Sequence, residues 1–403
     1  MSAFDFVIIG AGIVGLTSAF ELKKRFPKAS IAVLEKEAAL GKHASGRNSG
    51  VLHSGIYYGS DTLKAKVCSK GAIRMMAFAE EHGIPYRRSG KVIIATGEQD
   101  LPTVERLLTN AHDNNIRAIQ MDEYGIKEIE PHAKPYKVGI YSPDTAVIDS
   151  KAVVTKLHAL LQQQDVQIIF NRPVMDIRPG EKSVTAGNER YSYGYLFNCA
   201  GAYADTIAKR FSLGQDYTLL PFKGIYYKLR AERDWLVRSN IYPVPDISLP
   251  FLGVHLTRVV NGDVYVGPTA MPALGRENYG LFQGIRANEA VKIGLRMAAM
   301  YVQNRLNFRH LVHAEVRKYR KSHFVEAARK LVTEVTSADL VPCNKVGIRP
   351  QLVNVREMKL EMDYIIQQTP ESLHVLNAIS PAFTSSFAFA EMLVDRFEAV
   401  VER

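Results

Sequence analysis

Phe6-Val-Ile-Ile-Gly10-Ala-Gly12-Ile-Val-Gly15 opens the chain, and Glu35 closes the next apolar run, Ile31-Ala-Val-Leu34. The order is strand, glycine turn, helix start, second strand and acid. Gly10 permits a tight turn, Gly12 lets backbone come close to a pyrophosphate, and Gly15 lets the helix pack against the strand. A helix N-terminus at this point offers free N–H groups to phosphate. Glu35 lies twenty residues past Gly15, where an acid can accept hydrogen bonds from a ribose diol. The spacing predicts a dinucleotide-binding βαβ unit, without saying which dinucleotide.

Working outward, 41–50 reads as a loop, 62–82, 98–115, 122–129 and 150–164 as helices, and Lys91-Val-Ile-Ile-Ala95 and 166–170 as strands. Tyr195-Leu-Phe-Asn-Cys199 runs into Ala200-Gly201, a second strand-glycine-helix junction where backbone can approach a ligand. Segment 217–270 is strand-rich. Its clearest hairpin pairs 251–259 with 264–267 through Val260-Asn-Gly-Asp263. Residues 282–335 read as mostly helical, Leu373–Asn377 as a strand and 384–401 as a helix. The pattern predicts an α/β fold with a discontinuous dinucleotide-binding domain from 1–90, 140–215 and 340–403. An antiparallel-sheet α+β substrate domain, 91–139 and 216–339, is inserted into it and roofs the ligand beyond the strands' carboxyl ends.

The 403 residues carry 51 Lys and Arg against 41 Asp and Glu, a formal net charge of +10. Seven of these cations fall within 308–330, against Glu315 and Glu326. Leu311, Val312, Val316, Tyr319, Phe324 and Ala327 give that stretch rough helical spacing. It reads as a basic amphipathic helix, either a solvated face or a docking surface for anionic lipid. Nucleic acid is not indicated, for want of a stacking-aromatic pattern or binding motif. Cys68, Cys199 and Cys343 are scattered, so neither a metal site nor a disulfide framework is expected. The first residues read as a strand, so a signal peptide is not expected there, and no apolar run is long enough to span a membrane. A cytoplasmic protein is expected, with peripheral attachment to the inner face of the cell membrane as the variant that the basic stretch suggests.

Three further glycine-containing segments, 45–50, 199–202 and 380–386, can converge on the same ligand. An elongated cofactor held along its length needs that many contacts, and FAD is such a cofactor. On these residues the chain resembles the FAD-dependent D-amino-acid-oxidase superfamily. Within it, the chain closely resembles the L-2-hydroxyglutarate dehydrogenase/oxidase branch. The resemblance is carried by Gly46-Arg-Asn-Ser-Gly-Val-Leu-His-Ser-Gly-Ile-Tyr-Tyr58, Pro221–Tyr226, Ile241–Asp246, Pro250-Phe-Leu-Gly-Val-His-Leu-Thr-Arg258, Val346-Gly-Ile-Arg-Pro-Gln351 and Asn377–Ser385. One departure is Leu352–Leu360, which lacks the branch's Asp-Gly turn; Asp363 is the acid left to take the role that follows it.

The resemblance implies an FAD-binding Rossmann-like domain of glutathione-reductase type and oxidation of an L-2-hydroxy acid to a 2-oxo acid. Gly10, Gly12, Gly15 and Glu35 would serve the adenosine end of FAD, and Arg47, Asn48, Ser49 and Gly50 the pyrophosphate and ring. Val174 would offer backbone to the adenine, Gly201 would approach the pyrophosphate, and Pro381, Ala382, Phe383 and Thr384 would approach the isoalloxazine.

The reaction needs a base, a cation for the C1 carboxylate and a second group for the distal one. His255 is the first choice of base: alternation sets Leu252, Val254 and Leu256 on one strand face, and Phe251, Gly253, His255 and Thr257 on the other. His53 is the second, as base, flavin contact or covalent attachment point. Arg349 and Lys223 are favoured for the carboxylates: the guanidinium fork of Arg349 matches a carboxylate, and Lys223 precedes Gly224 in a strand expected to face the same region. Arg258 is out of phase and faces away. Tyr57, Tyr58 and Tyr226 are expected as packing groups or pocket hydroxyls, and Cys199 as an inert thiol. Other 2-hydroxy acids, amino acids, glycerol 3-phosphate and a non-catalytic flavin-binding module stay open, as do quinone and oxygen as electron acceptors and the oligomeric state.

Overall fold

The computed structural model describes residues 2–246, 251–305 and 308–401. Pro250, quoted above, and residues 306–307 of the helical stretch lie outside them.

Ser2–Ile9 is a strand because five of its last six residues are apolar and buried, as is proper to a sheet covered on both faces. It pairs in parallel with Ile31–Leu34 on one side and Glu189–Asn198 on the other. The parallel set extends to Gln167–Ile169 and Ser372–Val375, and an antiparallel flap, Val174–Arg178 with Ser183–Ala186, joins one edge. Helix Ile13–Arg25 leaves the first strand through Gly12 and ends on Lys23, Lys24 and Arg25, cations that suit a helix C-terminus. It and helix Ala382–Val401 pack against a core of Ile8, Leu16, Val33, Phe197, Phe389 and Phe397.

A second sheet, antiparallel in most of its ladders, holds Lys91–Ile94, Val138–Ser142, Tyr217–Leu229, Asn240–Pro243, His255–Arg258, Val264–Gly267 and Leu340–Asn354. One of its faces is apolar: Val92, Leu256, Val264 and Val266 pack on Phe324 and Leu331. The other carries Lys91, Tyr242, His255 and Arg349. This is the mixed α/β architecture expected, with two differences. Leu340–Asn354 belongs to the second sheet, because it runs the whole length of Tyr217–Leu229 in antiparallel register; the stretch 340–403 is therefore divided between the sheets. The basic stretch is two helices, Phe308–Arg317 and Lys321–Arg329, separated by tight turns at 318–320. Its apolar residues accordingly do not share a face: Leu311 and Phe324 are buried, and Val316 and Tyr319 are exposed.

Candidate active site

Strand ends converge. The carboxyl ends of Ser2–Ile9, Glu189–Asn198 and Ser372–Val375 open into one cavity, and the polar face of the second sheet roofs it. Gly10 sits at φ +101°, and a Cβ there would lie 2.6 Å from the Cys199 carbonyl oxygen. A Cβ on Gly15 would lie 2.0 Å from the Gly10 oxygen, so helix and turn fit only because both residues lack side chains. Gly12 and Gly201 reach the cavity wall, and a Cβ on Gly201 would meet nothing within 4 Å, leaving room for a ligand against its backbone. Ser45 Oγ accepts the Ile13 N–H at 2.8 Å, which brings the 41–50 loop to the helix N-terminus.

Arg47, Asn48, Ser49, Pro381, Ala382, Phe383 and Thr384 also line the cavity. Gly10, Gly15, Gly50, Glu35 and Val174 stand behind or beyond its wall. Gly50 is a turn residue at φ +76° against the Ile148 oxygen, and Val174 begins the antiparallel flap. Glu35 is braced at the end of its strand, its carboxylate accepting the N–H groups of Ala11 at 2.9 Å and Glu37 at 3.0 Å.

His255 and Arg349 meet in the roof. The strand expected over 251–259 is ordered only as His255–Arg258, because the Gly253 carbonyl turns to accept from His255 Nδ1 at 2.9 Å. Alternation therefore stops short, and Leu252 lines the cavity while Val254 and Leu256 enter the core. A carbonyl can only accept, so Nδ1 carries the proton and Nε2 keeps its lone pair. Burial pushes the His255 pKa down to about 3, with Lys91 and Arg349 acting in the same direction. His53 is likewise depressed to about 3, mainly by burial. Both imidazoles are neutral at physiological pH, so each keeps one nitrogen lone pair.

Arg349 lies over the Phe251 ring, its Cζ 4.9 Å from the centroid, with no hydrogen bond or ion pair among the described residues. Burial lowers its pKa, and Glu315, the acid that opposes this, is engaged by Lys318 and the Ala270 N–H. Such a guanidinium is set to receive an anion.

Lys223 is a correction. Phe222 and Gly224 line the cavity, so the residue between them points the other way. Its Nζ donates to Gly280 O at 2.8 Å and reaches Asn278 Oδ1 at 3.4 Å. It thus fastens segment 273–284 instead of facing a substrate. The same segment is tied by Arg276 to Asp205, by Glu277 to Lys36 at 2.6 Å and by Tyr279 to His43 at 2.8 Å. Asp363 is a second correction: its carboxylate caps helix Leu63–Glu81, accepting from Leu63 N at 2.7 Å and Lys64 N at 3.0 Å. Arg258 faces away, but donates to the carbonyls of Asp234 and Val237 rather than to an acid. Of the tyrosines, Tyr226 lines the cavity and Tyr57 packs behind it. Cys199 is buried at the cavity wall, and burial pushes its thiol up to about 12.

Tyr242 and Lys91 escaped the sequence reading. Tyr242 stacks on His255 with centroids 3.8 Å apart. Lys91 opens a strand whose four residues are all buried. A lysine at a strand start ordinarily signals an exposed end, so the sequence held no cue.

The model of the FAD dependent oxidoreductase family matches residues 5–396. The chain belongs to that family. FAD is its cofactor, and the glycine cradle, the helix N-terminus and the cavity continuing to Thr384 fit an elongated dinucleotide. Among curated relatives, the chain is 35% identical to L-2-hydroxyglutarate dehydrogenase of Indibacter alkaliphilus, covering 96% of each chain. It is 33% identical to the mitochondrial L-2-hydroxyglutarate dehydrogenase of Homo sapiens, over 98% of this chain and 89% of the relative. To the enzyme of that name from Escherichia coli it is 32% identical, over 99% and 94%. Among solved structures it resembles FAD-bound L-alpha-glycerophosphate oxidase from Mycoplasma pneumoniae, with TM-score 0.79 and 21% identity over 99% of this chain and 95% of that one. Glycine oxidase from Geobacillus kaustophilus gives TM-score 0.74 at 16% identity, over 99% and 95%. Proteins that share this fold thus differ in the substrates their names record.

Proposed function

We propose that this flavoenzyme oxidises L-2-hydroxyglutarate to 2-oxoglutarate. The observation that carries the reading is the pairing, in one roof, of an unengaged Arg349 guanidinium with a His255 whose Nε2 lone pair is free. Arg349 receives the C1 carboxylate, and His255 Nε2 takes the C2 hydroxyl proton. FAD, when bound, supplies the acceptor for the C2 hydride. Gly12, Gly201 and the 41–50 loop hold its phosphate region, and residues 381–384 the ring. The wall contributed by Phe222, Leu252 and Tyr242 keeps water from the reacting carbon. The relatives' names supply the glutarate skeleton. The anaerobic flavin spectrum tests the reading. L-2-hydroxyglutarate should bleach the flavin bands, and its D-enantiomer, glycerol 3-phosphate and glycine should not. A flavin bleached by one of those compounds and left unchanged by L-2-hydroxyglutarate moves the assignment to that compound.

A membrane-borne quinone as electron acceptor is supported by the surface around the broken basic stretch. Helix Ala287–Gln303 exposes Val291, Leu295 and Val302, and Leu281 and Phe282 are exposed just before it. Arg286, Lys292, Arg296 and Arg305 belong to the same stretch of chain. Exposed apolar side chains interspersed along the chain with cations suit an anionic lipid surface, and no described helix is long and apolar enough to cross a membrane. The protein should sediment with anionic vesicles, and a Leu281→Ser/Phe282→Ser double variant should not.

A further inference from the structure

Behind the roof lies a lysine that the proton transfer above does not use. Lys91 is 0% exposed, and its Nζ has no hydrogen-bond partner. It lies 4.5 Å from the centroid of the Tyr57 ring and 5.1 Å from that of Tyr242. Tyr242 in turn stacks on His255, with centroids 3.8 Å apart and planes at 21°. Lys91, Tyr242 and His255 thus form three layers, of which the last two line the cavity.

The groups facing this amine come from every neighbouring element. Helix Leu63–Glu81 offers the Cys68 thiol, which itself donates to the His53 carbonyl. The segment after Val51–Leu52 offers His53, Ser54 and Tyr57. Strand Val138–Ser142 places Ser142 opposite Lys91, its hydroxyl already bonded to Ser54. Strands Asn240–Pro243 and His255–Arg258 contribute Tyr242, His255 and Thr257. None of these groups is a carboxylate. Two aromatic faces and the Cys68 sulfur are what offset the ammonium, which falls short of what a buried charge needs. Burial accordingly lowers the lysine pKa to about 7, so both of its states are populated near neutrality.

We propose that Lys91 is a positioning residue for the proton-transfer half of the reaction, its charge gating, across the Tyr242 layer, whether His255 can take the substrate's hydroxyl proton. The inference rests on the hydroxy-acid oxidation proposed above. With Lys91 neutral, the substrate O–H bond breaks and its proton forms an N–H bond at Nε2 of His255. With Lys91 charged, the resulting imidazolium would face a second positive charge through a low-dielectric layer, and the transfer is disfavoured. His255, titrating far lower, is already neutral on both sides of this transition, so the gate belongs to Lys91.

The test uses the FAD-loaded protein, with anaerobic flavin reduction by L-2-hydroxyglutarate followed from pH 6 to 9. The rate should rise roughly tenfold through a limb near pH 7. Lys91→Met should hold the alkaline plateau at every pH, and Lys91→Arg, permanently charged, the acid plateau. Carbon-13 NMR of labelled lysines in the FAD-loaded, substrate-free protein should contain one resonance titrating near neutrality that Lys91→Met removes. A limb retained in both variants, a parallel loss of rate in both, or no lysine titrating near neutrality overturns the proposal. If L-2-hydroxyglutarate does not bleach the wild-type flavin, the substrate reading has failed, and the NMR titration alone decides on Lys91.

Discussion

Deleting the Arg349 guanidinium removes a cation that faces the cavity without a protein anion beside it. Arg349→Met should raise KM for L-2-hydroxyglutarate about a hundredfold, the loss of a charge-assisted bidentate contact worth about 3 kcal/mol. Arg349→Lys should recover only part of this, since an ammonium lacks the planar fork; steady-state kinetics decide the matter. His255→Gln keeps a polar side chain but removes the base, and should slow anaerobic flavin reduction by about 10²- to 10⁴-fold while leaving FAD bound. Unchanged reduction would shift the base to His53. Both residues were legible in the sequence as types in a motif. Which nitrogen of His255 is free was not, because the Gly253 carbonyl that fixes the tautomer turns only where the strand stops.

Segment 273–284 shows how one misread residue becomes an element's anchor. Lys223, Arg276, Glu277 and Tyr279 tie it to residues flanking the cofactor cradle, and the half-buried Arg276 pairs with a buried Asp205, 1% exposed. Arg276→Met strands that carboxylate, at a cost of about 3 kcal/mol. Melting followed by flavin fluorescence should show FAD released at a lower temperature; release at the wild-type temperature would mean that the segment does not retain the cofactor. Asp363→Ala should cost about 1 kcal/mol by leaving the Leu63 and Lys64 N–H groups at the start of helix Leu63–Glu81 without their acceptor, measured as a lower denaturant midpoint. Most helices and strands were readable from periodicity and caps. The elements misjudged, 251–254 and 318–320, are those where a local turn interrupts a pattern that the apolar residues continue. Lys223 was misjudged for a related reason: alternation shows that two neighbours face opposite ways, but not which of them faces the ligand.

Across the whole molecule, His53, His255 and His374 are buried and depressed to about 3. His374 has Nδ1 accepting from Asn198 at 3.0 Å and Nε2 donating to Ser372 at 2.9 Å, a network that leaves no place for a second proton. Unfolded histidines take up protons below about pH 6.5, whereas these do so only near pH 3. The unfolded chain therefore binds more protons across that window. Stability should fall as pH drops from 6.5, by about 1.4 kcal/mol per pH unit for each histidine. Lys91 acts in the same sense from about pH 7 upward, being neutral in the fold and charged when unfolded. Urea midpoints at pH 5 and 8 check this, and a pH-independent midpoint would contradict it. The sequence alone determined the dinucleotide turn, the FAD family and the residue types of the site. A βαβ unit is specified by contacts within its first 36 residues, and glycines there have no substitute. Only the tertiary structure decided that Leu340–Asn354 crosses to the second sheet, that Lys223 turns from the cavity and that Lys91 stands behind His255. Each of these depends on register between strands 100 or more residues apart, which no local pattern encodes.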